Sequence, residues 1–587
     1  MLVWAFPALG SERLATGLGQ GVALWLIYRA AQWHAWPATQ PHLFAPLLLI
    51  VIFVPILALS GLGGLRRLTL VLWLACAVLV LVVVGLHEVA RNQAPAVTIA
   101  ALEPSSGAVI GALTLALFVA HTLVTAGDAD RRLVAAYPTY FDVAWKHAVQ
   151  LLLSLLFLGL FWAVLWLGAE LFRLIDIDSL RTLITSPSFA MPASALAFAF
   201  ALHVTDVRIA LVQGMRNLLH ILLSALLPVA AVLIGGFIAS LPFTGLAPLW
   251  RTSHGSEIVL ASAAVLVVLI NTAYRDGSES ARPALLHWAG SAASLCLPVL
   301  VTISAYGLAL RVGQRGWSSY RIVGVAWLVV AGCHAAGYGW AAVASRPWLK
   351  QLETTNLVAA CAILVAVVAL ITPIADPERL SIGAQMARLE SGLVSPDQFD
   401  FNYLRFRSGR YGLAALERLR TVKGPNAEAI KQDAEQALAL TQPYALPTPP
   451  SSADLAGMAV FPAGQALPQS LARQNWTIFP ERYLLPACLF DAKVKCEAFV
   501  TGGGGGDAQI VVAELTGNRR GVVFHQDGRG AWRPIGTLSG AMRCERVRDA
   551  FRAGSYSWVP SLQQDLEAAG ERLTIVPLPG SSSASCR

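Results

Sequence analysis

Residues 137–175 read YPTYFDVAWKHAVQLLLSLLFLGLFWAVLWLGAELFRLI. From Ala148 to Ala169 there are 22 residues without a charge, about 33 Å of helix at about 1.5 Å per residue, which matches a hydrocarbon core about 30 Å thick. This is a membrane-crossing helix with both interfaces attached. Asp142, Trp145, Lys146 and His147 mark one end, and Trp166, Glu170 and Arg173 mark the other. Phe157/Phe161 and Trp162/Trp166, each four residues apart, share helix faces and read as packing surface.

The flanking sequence has the same texture. With 56% apolar and 13% charged residues in 587, and a mean hydropathy of +0.59, the chain lies outside the range of soluble globular proteins, where charge is about 25%. The lipid bilayer is therefore its first partner. Residues 1–375 hold 20 of the 43 Lys and Arg and 14 of the 35 Asp and Glu, leaving 23 and 21 for residues 376–587. The second part is charged like a water-soluble domain. A net charge of +8 comes mostly from arginines beside apolar spans, which is topology and lipid chemistry and not a nucleic-acid surface.

Apolar runs give eleven expected spans: 14–31, 43–60, 68–87, 107–126, 148–169, 188–204, 217–240, 257–274, 284–310, 322–343 and 355–375. The first carries Arg29 and several glycines, and the sixth is short and holds Pro192; either one as a re-entrant segment lowers the count to ten or nine. The first run lacks a basic leader and a small-residue cleavage site, so it is expected to stay in the membrane. Loop residues Arg66, Arg67, Arg131, Arg132, Lys146, Arg208, Arg216, Arg275, Arg282, Arg346 and Lys350 fall on one side, 11 in all. The opposite set is Arg13, Arg91, Arg173, Arg181, Arg251, Arg311, Arg315 and Arg321, 8 in all. The richer side is cytoplasmic by the positive-inside rule, which puts the C-terminal part outside, in the periplasm if the organism is Gram-negative.

After Ile374 the pattern changes. Residues 376–440 read as short amphipathic helices, with Asn426 as a cap for the last. A Pro-rich linker occupies 441–457, and 458–587 reads as a small β-rich domain with a loose tail. The expected fold is an all-α polytopic membrane domain over 1–375, a helical segment, and that small domain, which is of a size to bind a protein partner. Of the eight cysteines, Cys488, Cys496, Cys544 and Cys586 lie in the polar part. They fit no zinc spacing, and a Cys488–Cys496 bridge is the safer of two pairs in an oxidising compartment.

The 137–175 stretch, with LLPVAAVLIGGFIASLPFTGLAPLW, NTAYRDG, RVGQRGWSSYRI and the juxtamembrane DPERLSIGAQMARLESGLVSPDQFDFNYLRFRSGRYGLAALERL, resembles a bacterial membrane family catalogued as domain-of-unknown-function 4153. The resemblance covers most of residues 1–440. It implies a multi-span inner-membrane protein with a polar C-terminal extension, and no chemistry.

Ionisable groups inside a bilayer are costly unless paired or facing water. By that test His147, Glu170, His220 and His334 are candidates; His87, Glu88, His121, His203, Asp206, Arg208 and His287 lie at span ends. His220 and His334 would relay protons if they shared a cavity. Arg311, Arg315 and Arg321 with Trp317 form an arginine-rich interfacial loop that suits a phosphate or lipid headgroup. Gly502–Gly506 lacks the Lys and Ser/Thr of a phosphate loop, and no nucleophile, metal or cofactor motif occurs. Three function classes follow: a non-enzymatic envelope accessory, sensor or assembly factor; a transporter or flippase, from the prolines at 192, 228 and 298; and an enzyme on lipid-linked substrates, with Glu170 or His147 as base and the arginine loop as clamp.

Overall fold

The computed structural model describes residues 8–92, 105–251, 254–277, 283–344, 348–424 and 426–440, then 455, 458–474, 476, 485–490, 494–502, 508–515, 521–526, 531–538, 545–557, 566–568 and 571–573. The expected linker 441–457 except Leu455, most of the Gly502–Gly506 run, and Cys544 and Cys586 lie outside the described residues. The chain divides into two compact units, Met1–Leu438 and Ala439–Arg587.

The first unit is helical: α1 (Ala8–Gln32), α2 (Pro41–Gly61), α3 (Arg67–Asn92), α4 (Ser105–Asp130), α5 (Tyr137–Arg173), α6 (Ser179–Thr185), α7 (Pro187–Val207), α8 (Ile209–Thr244), α9 (Ala247–Arg251), α10 (Gly255–Tyr274), α11 (Ala284–Arg315), α12 (Ser319–Val343) and α13 (Leu352–Leu370). Ten of them, α2–α5, α7, α8 and α10–α13, are long and apolar enough to cross a membrane among the described residues. The protein is thus a multi-pass helical protein whose spans run on past their apolar windows. Along α5, Leu152, Leu156, Leu160, Val164 and Leu167 are each more than half exposed, a stripe that only lipid would cover at low cost.

The sixth expected span is among the ten, as the 21-residue α7. The first is not, because Glu12, Arg13, Arg29 and four glycines lower the hydropathy of α1. α1 nevertheless lies antiparallel along α7. Arg13 reaches Asp206, a Cβ on Gly17 would lie 2.4 Å from Ala199 Cβ, and one on Gly21 would lie 2.4 Å from Pro192 Cα. Glycines four apart let the two backbones touch. This pairing also corrects the loop tally: Arg13 belongs with the Lys146 end, and the same residues then divide 12 to 7. Gly21→Leu should overpack this seam and cost about 1–3 kcal/mol, read as a lower unfolding midpoint in detergent. Gly19→Leu, whose added Cβ meets nothing within 4 Å, should leave the midpoint unchanged.

Two apolar cores sit in the bundle. One joins α2, α3, α4 and α13 through Phe53, Leu81, Leu113 and Val367; the other joins α8, α10, α11 and α12 through Leu227, Leu266, Leu297 and Tyr338. α5 packs Phe157 against Phe200 of α7 and donates from Trp162 Nε1 to Ser194 Oγ at 3.0 Å.

Beyond α13 come α14 (Pro377–Glu390), α15 (Phe401–Phe406), α16 (Gly409–Leu419) and α17 (Ala427–Ala439), packed on one another through Met386, Leu404, Leu416 and Ala434. Asn426, the expected cap, stands before α17 with φ of 63°. These helices are fastened to the bundle at the far end of α3. Asp376 caps α14 by accepting from the backbone N–H of Glu378 and Arg379, and its other oxygen meets His87 Nε2 at 2.9 Å with both side chains buried. Gly409, at φ of 51°, lets α16 approach the Arg91 carbonyl where a Cβ would fall 2.3 Å away.

The second unit is a five-stranded sheet in the order β1 (Ala459–Phe461), β2 (Cys496–Gly502), β3 (Ala508–Glu514), β4 (Gly521–Gln526) and β5 (Trp532–Leu538). β1 joins in parallel and the rest are antiparallel. Alternation along β2 and β3 sends Ala498, Ile510 and Val512 to a core with Trp476 and Trp532, and Phe499, Val511 and Ala513 to the other face. A short α18 (Gln469–Ala472) lies under the first face, and α19 (Glu545–Arg552) covers the second with Val547 and Phe551. Two short strands, β6 (Leu566–Ala568) and β7 (Glu571–Leu573), pair with each other. Cys488 and Cys496 form a disulfide. Glu497 on β2 takes Arg548 at 3.1 Å and Arg552 at 2.7 Å, so the buried carboxylate of the sheet is answered from α19.

Candidate functional site

The polar chemistry of the bundle gathers at the Lys146 end, and α5 divides it. One face of α5 carries Tyr137, Phe141, Ala144 and Trp145; another carries Lys146, His147 and Gln150.

The first face lines a cavity of about 310 Å³ between α4, α5, α10 and α13. Phe118, Leu123, Phe141, Val268 and Leu357 give it apolar walls, and Val268 is 51% exposed on the surface of the bundle. Its polar corner is Tyr137, Asn271 and Asn356, and these belong to a hydrogen-bonded set that takes in the fully buried Tyr338 of a fourth helix, α12. Tyr338 Oη donates to Asn356 Oδ1 (2.6 Å), Asn356 Nδ2 donates to Asn271 Oδ1 (2.6 Å), and Asn271 Nδ2 donates back to Tyr338 Oη (2.7 Å). Tyr137 Oη accepts from Asn356 Nδ2 at 3.1 Å, while its own proton has only Asn271 Oδ1 at 3.4 Å. That hydroxyl has a proton to give. Thr122 Oγ1 also lines the cavity, buried and without a hydrogen-bond partner. An apolar chamber with a few convergent polar groups is the usual form of a small-molecule site, and its volume is at the low end of about 300–1,000 Å³.

The second face meets α1 and α7. Asp206 Oδ1 accepts from Lys146 Nζ (2.7 Å) and Gln150 Nε2 (3.1 Å), and Oδ2 accepts from Arg13 Nη2 (2.7 Å). Arg13 also donates to the Leu62 carbonyl, and is 1% exposed. One carboxylate thus answers two cations at the end of three helices. Beside it, His147 stacks on His121 with ring centroids 4.9 Å apart. His121 is held between Trp73 Nε1 (3.0 Å) and Ser60 Oγ (3.0 Å).

The other expected residues fall elsewhere. Glu170 pairs with Arg173 (2.7 Å) and Arg181 (3.7 Å) at the opposite end of α5 from His147, 23 residues or about 34 Å away. Arg311, Arg315 and Arg321 lie at the Glu170 end, so His147 and the arginine clamp cannot serve one catalytic centre. Most of the expected loop is helical: Arg311 and Arg315 are on the last turns of α11, and Arg321 is on the first turn of α12. His220 is enclosed by Phe141 and Trp145, with centroids 5.2 and 4.5 Å away. His334 Nδ1 donates to its own helix at Val330 (3.0 Å). No described hydrogen bond or ring contact joins these two histidines, and neither lines the cavity between α4, α5, α10 and α13. Among the described residues no set of three His, Cys, Asp or Glu is arranged to hold a metal.

Tyr137, Asn271, Tyr338 and Asn356 were not singled out by sequence. A neutral Asn or Tyr carries no charge signal, and the available clue was two asparagines and two tyrosines near the polar ends of otherwise apolar helices.

The fold and this site define a polytopic helical membrane protein with a polar-cornered cavity and a disulfide-bearing sheet domain. Residues 43–419 match the model of the family described as Domain of unknown function (DUF4153), and the chain belongs to that family. No curated protein and no solved structure matches the chain.

Proposed function

We propose that the protein is a non-enzymatic envelope protein, an accessory, sensor or assembly factor, that holds the chain of an amphipathic, lipid-like molecule in the cavity between α4, α5, α10 and α13. The observation that carries this reading is the cavity itself, lined by apolar side chains apart from Thr122, Tyr137, Tyr140, Trp145, Asn271 and Asn356. A carbonyl or hydroxyl at the ligand's polar end would take the Tyr137 proton, and its chain would follow Phe118, Val268 and Leu357 toward the lipid-exposed rim. α7, α8 and α11 run on through Pro192, Pro228 and Pro298 without a break, which removes the broken-helix argument for a transporter.

The corrected loop count of 12 to 7 supports a cytoplasmic Lys146 end in a bacterial inner membrane. The chain leaves α13 at the other end, so the second unit is periplasmic in this reading. Its disulfide agrees with an oxidising compartment, and its sheet would be the module that meets a protein partner.

A photoactivatable acyl probe in native membranes should label Val268 and Leu357. Ala360→Phe, which fills the cavity, should cut that labelling about tenfold while leaving labelling of the exposed Leu152 face unchanged. Equal labelling of both faces in the two proteins would defeat the proposal.

A further inference from the structure

At the opposite end of the bundle, four arginines from three helices converge around one glycine. Arg311 and Arg315, four apart, lie on the last turns of α11; Arg321 is on the first turn of α12; Arg388 comes from α14. Gly316, with φ of 74°, turns the chain between α11 and α12. Its carbonyl accepts from Arg321 Nη1. Arg388 lies over the same glycine so closely that a Cβ there would fall 2.7 Å from Arg388 Cδ and 3.0 Å from its Nε. Arg321 feels the charges of Arg311, Arg315 and Arg388 together, all of them unfavourable.

Like charges gathered at one low-dielectric interface raise the energy of the fold unless an anion lies between them. Here the protein supplies little. Arg315, Arg321 and Arg388 form no salt bridge with any described residue. Arg388 Nε is buried without a hydrogen-bond partner. Glu378, an acid on α14, is engaged by Ser319 Oγ (2.8 Å) and Tyr403 Oη (3.0 Å) and not by an arginine. α14 is pinned in place independently, since Ser381 and Gln385 both donate to the Trp317 carbonyl. Arg315, Arg321 and Arg388 are therefore held in place with no acidic partner among the described residues, and Arg311 stands beside them on α11.

Its depth fits one kind of anion. The cluster sits where two spans end, with Trp317 38% and Tyr320 91% exposed beside it, the arrangement of an aromatic belt at headgroup level. We infer that Arg311, Arg315, Arg321 and Arg388 form a phosphate site at this interface, with Arg388 as the member that ties ligand occupancy to the position of α14. Guanidinium forks bind phosphate in pairs, and the phosphate comes either from an anionic phospholipid headgroup or from a soluble phosphomonoester. This site is separate from the cavity, and either one can fail without the other.

The full chain in nanodiscs of phosphatidylglycerol and of phosphatidylcholine, followed by native mass spectrometry, tests it. The wild-type protein should retain phosphatidylglycerol at least tenfold over phosphatidylcholine, and Arg315→Gln/Arg388→Gln should lose that preference. Arg315→Lys/Arg388→Lys, which keeps the charge, should restore part of it and controls for folding. Glycerol 3-phosphate added to delipidated protein distinguishes the sources: saturable binding lost in the Gln variant assigns the site to a soluble phosphate, and binding of the phospholipid alone assigns it to a headgroup. Equal retention of the two lipids by the wild type with no glycerol 3-phosphate binding, or Gln variants that bind as the wild type does, would overturn the inference.

Discussion

Asp206→Ala should destabilise the protein by about 3–5 kcal/mol, the usual cost of removing one partner from a buried ion pair. Arg13, at 1% exposure, would keep its charge with only the Leu62 carbonyl described as an acceptor, and two of its three guanidinium nitrogens already have no hydrogen-bond partner. Lys146 is 45% exposed on its side chain and can turn to water, so Lys146→Ala should cost under about 1 kcal/mol. The asymmetry is the useful part. Replacing both members of the buried pair, Arg13→Met with Asp206→Leu, should recover most of the loss, because well-packed apolar groups avoid the desolvation that the charges must repay. Unfolding midpoints in detergent for Arg13→Met, Asp206→Leu and the double variant give the coupling energy; additive losses would mean that Arg13 and Asp206 do not act as a pair.

Asp376→Ala should cost about 2–4 kcal/mol, from a lost cap at about 1 kcal/mol and an orphaned buried His87 at about 1–3 kcal/mol. Asp376 also carries a pH dependence. Burial acts to raise its carboxyl, but the hydrogen bond with His87, the charge of Arg91 and the N–H groups of Arg379 and Glu378 outweigh it and hold the group below the ordinary carboxylate value. A depressed carboxyl contributes stability that is fully present above the unfolded value of about 3.9 and is lost as pH falls through the folded one. The docking of α14–α17 on α3 should therefore weaken below about pH 4, and Asp376→Asn should remove that acid-induced step. Protease accessibility of Arg407 and Arg410 as a function of pH would report it, and an identical acid profile in wild type and variant would contradict the assignment.

Much of the fold could be read because membrane spans write themselves in long apolar runs. The 148–169 window announced α5, and the change of texture after Ile374 announced the helical segment and the sheet. α1 was harder for a physical reason: its glycines and Arg13 lower its hydropathy while fitting it to α7, so the features that make it pack are those that hide it from a hydropathy reading. β1 and α19 are not written in the sequence pattern, because one is three residues long and the other is a polar helix whose inward groups are the half-buried Val547 and Phe551 and the buried, ion-paired Arg548. The site was less legible than the fold. Charged residues drew the eye to His147, Glu170, His220 and His334, and the structure gives these separate partners. The cavity's polar corner is made of neutral amides and a phenol from α5, α10 and α13, backed by Tyr338 of α12, and their meeting is a property of the packing and not of any local spacing. The arginine group was visible in part, and Arg388 joined it only through the docking of α14.

Occupancy of the cavity is read most directly by native mass spectrometry of the wild-type protein and Ala360→Phe, both released from their own membranes in mild detergent. The wild type should carry an amphipathic adduct that survives delipidating washes and is absent from Ala360→Phe, with both proteins keeping the same unfolding midpoint to within a few degrees. A wild-type spectrum showing the bare chain alone, or one adduct held equally by both proteins, would contradict it.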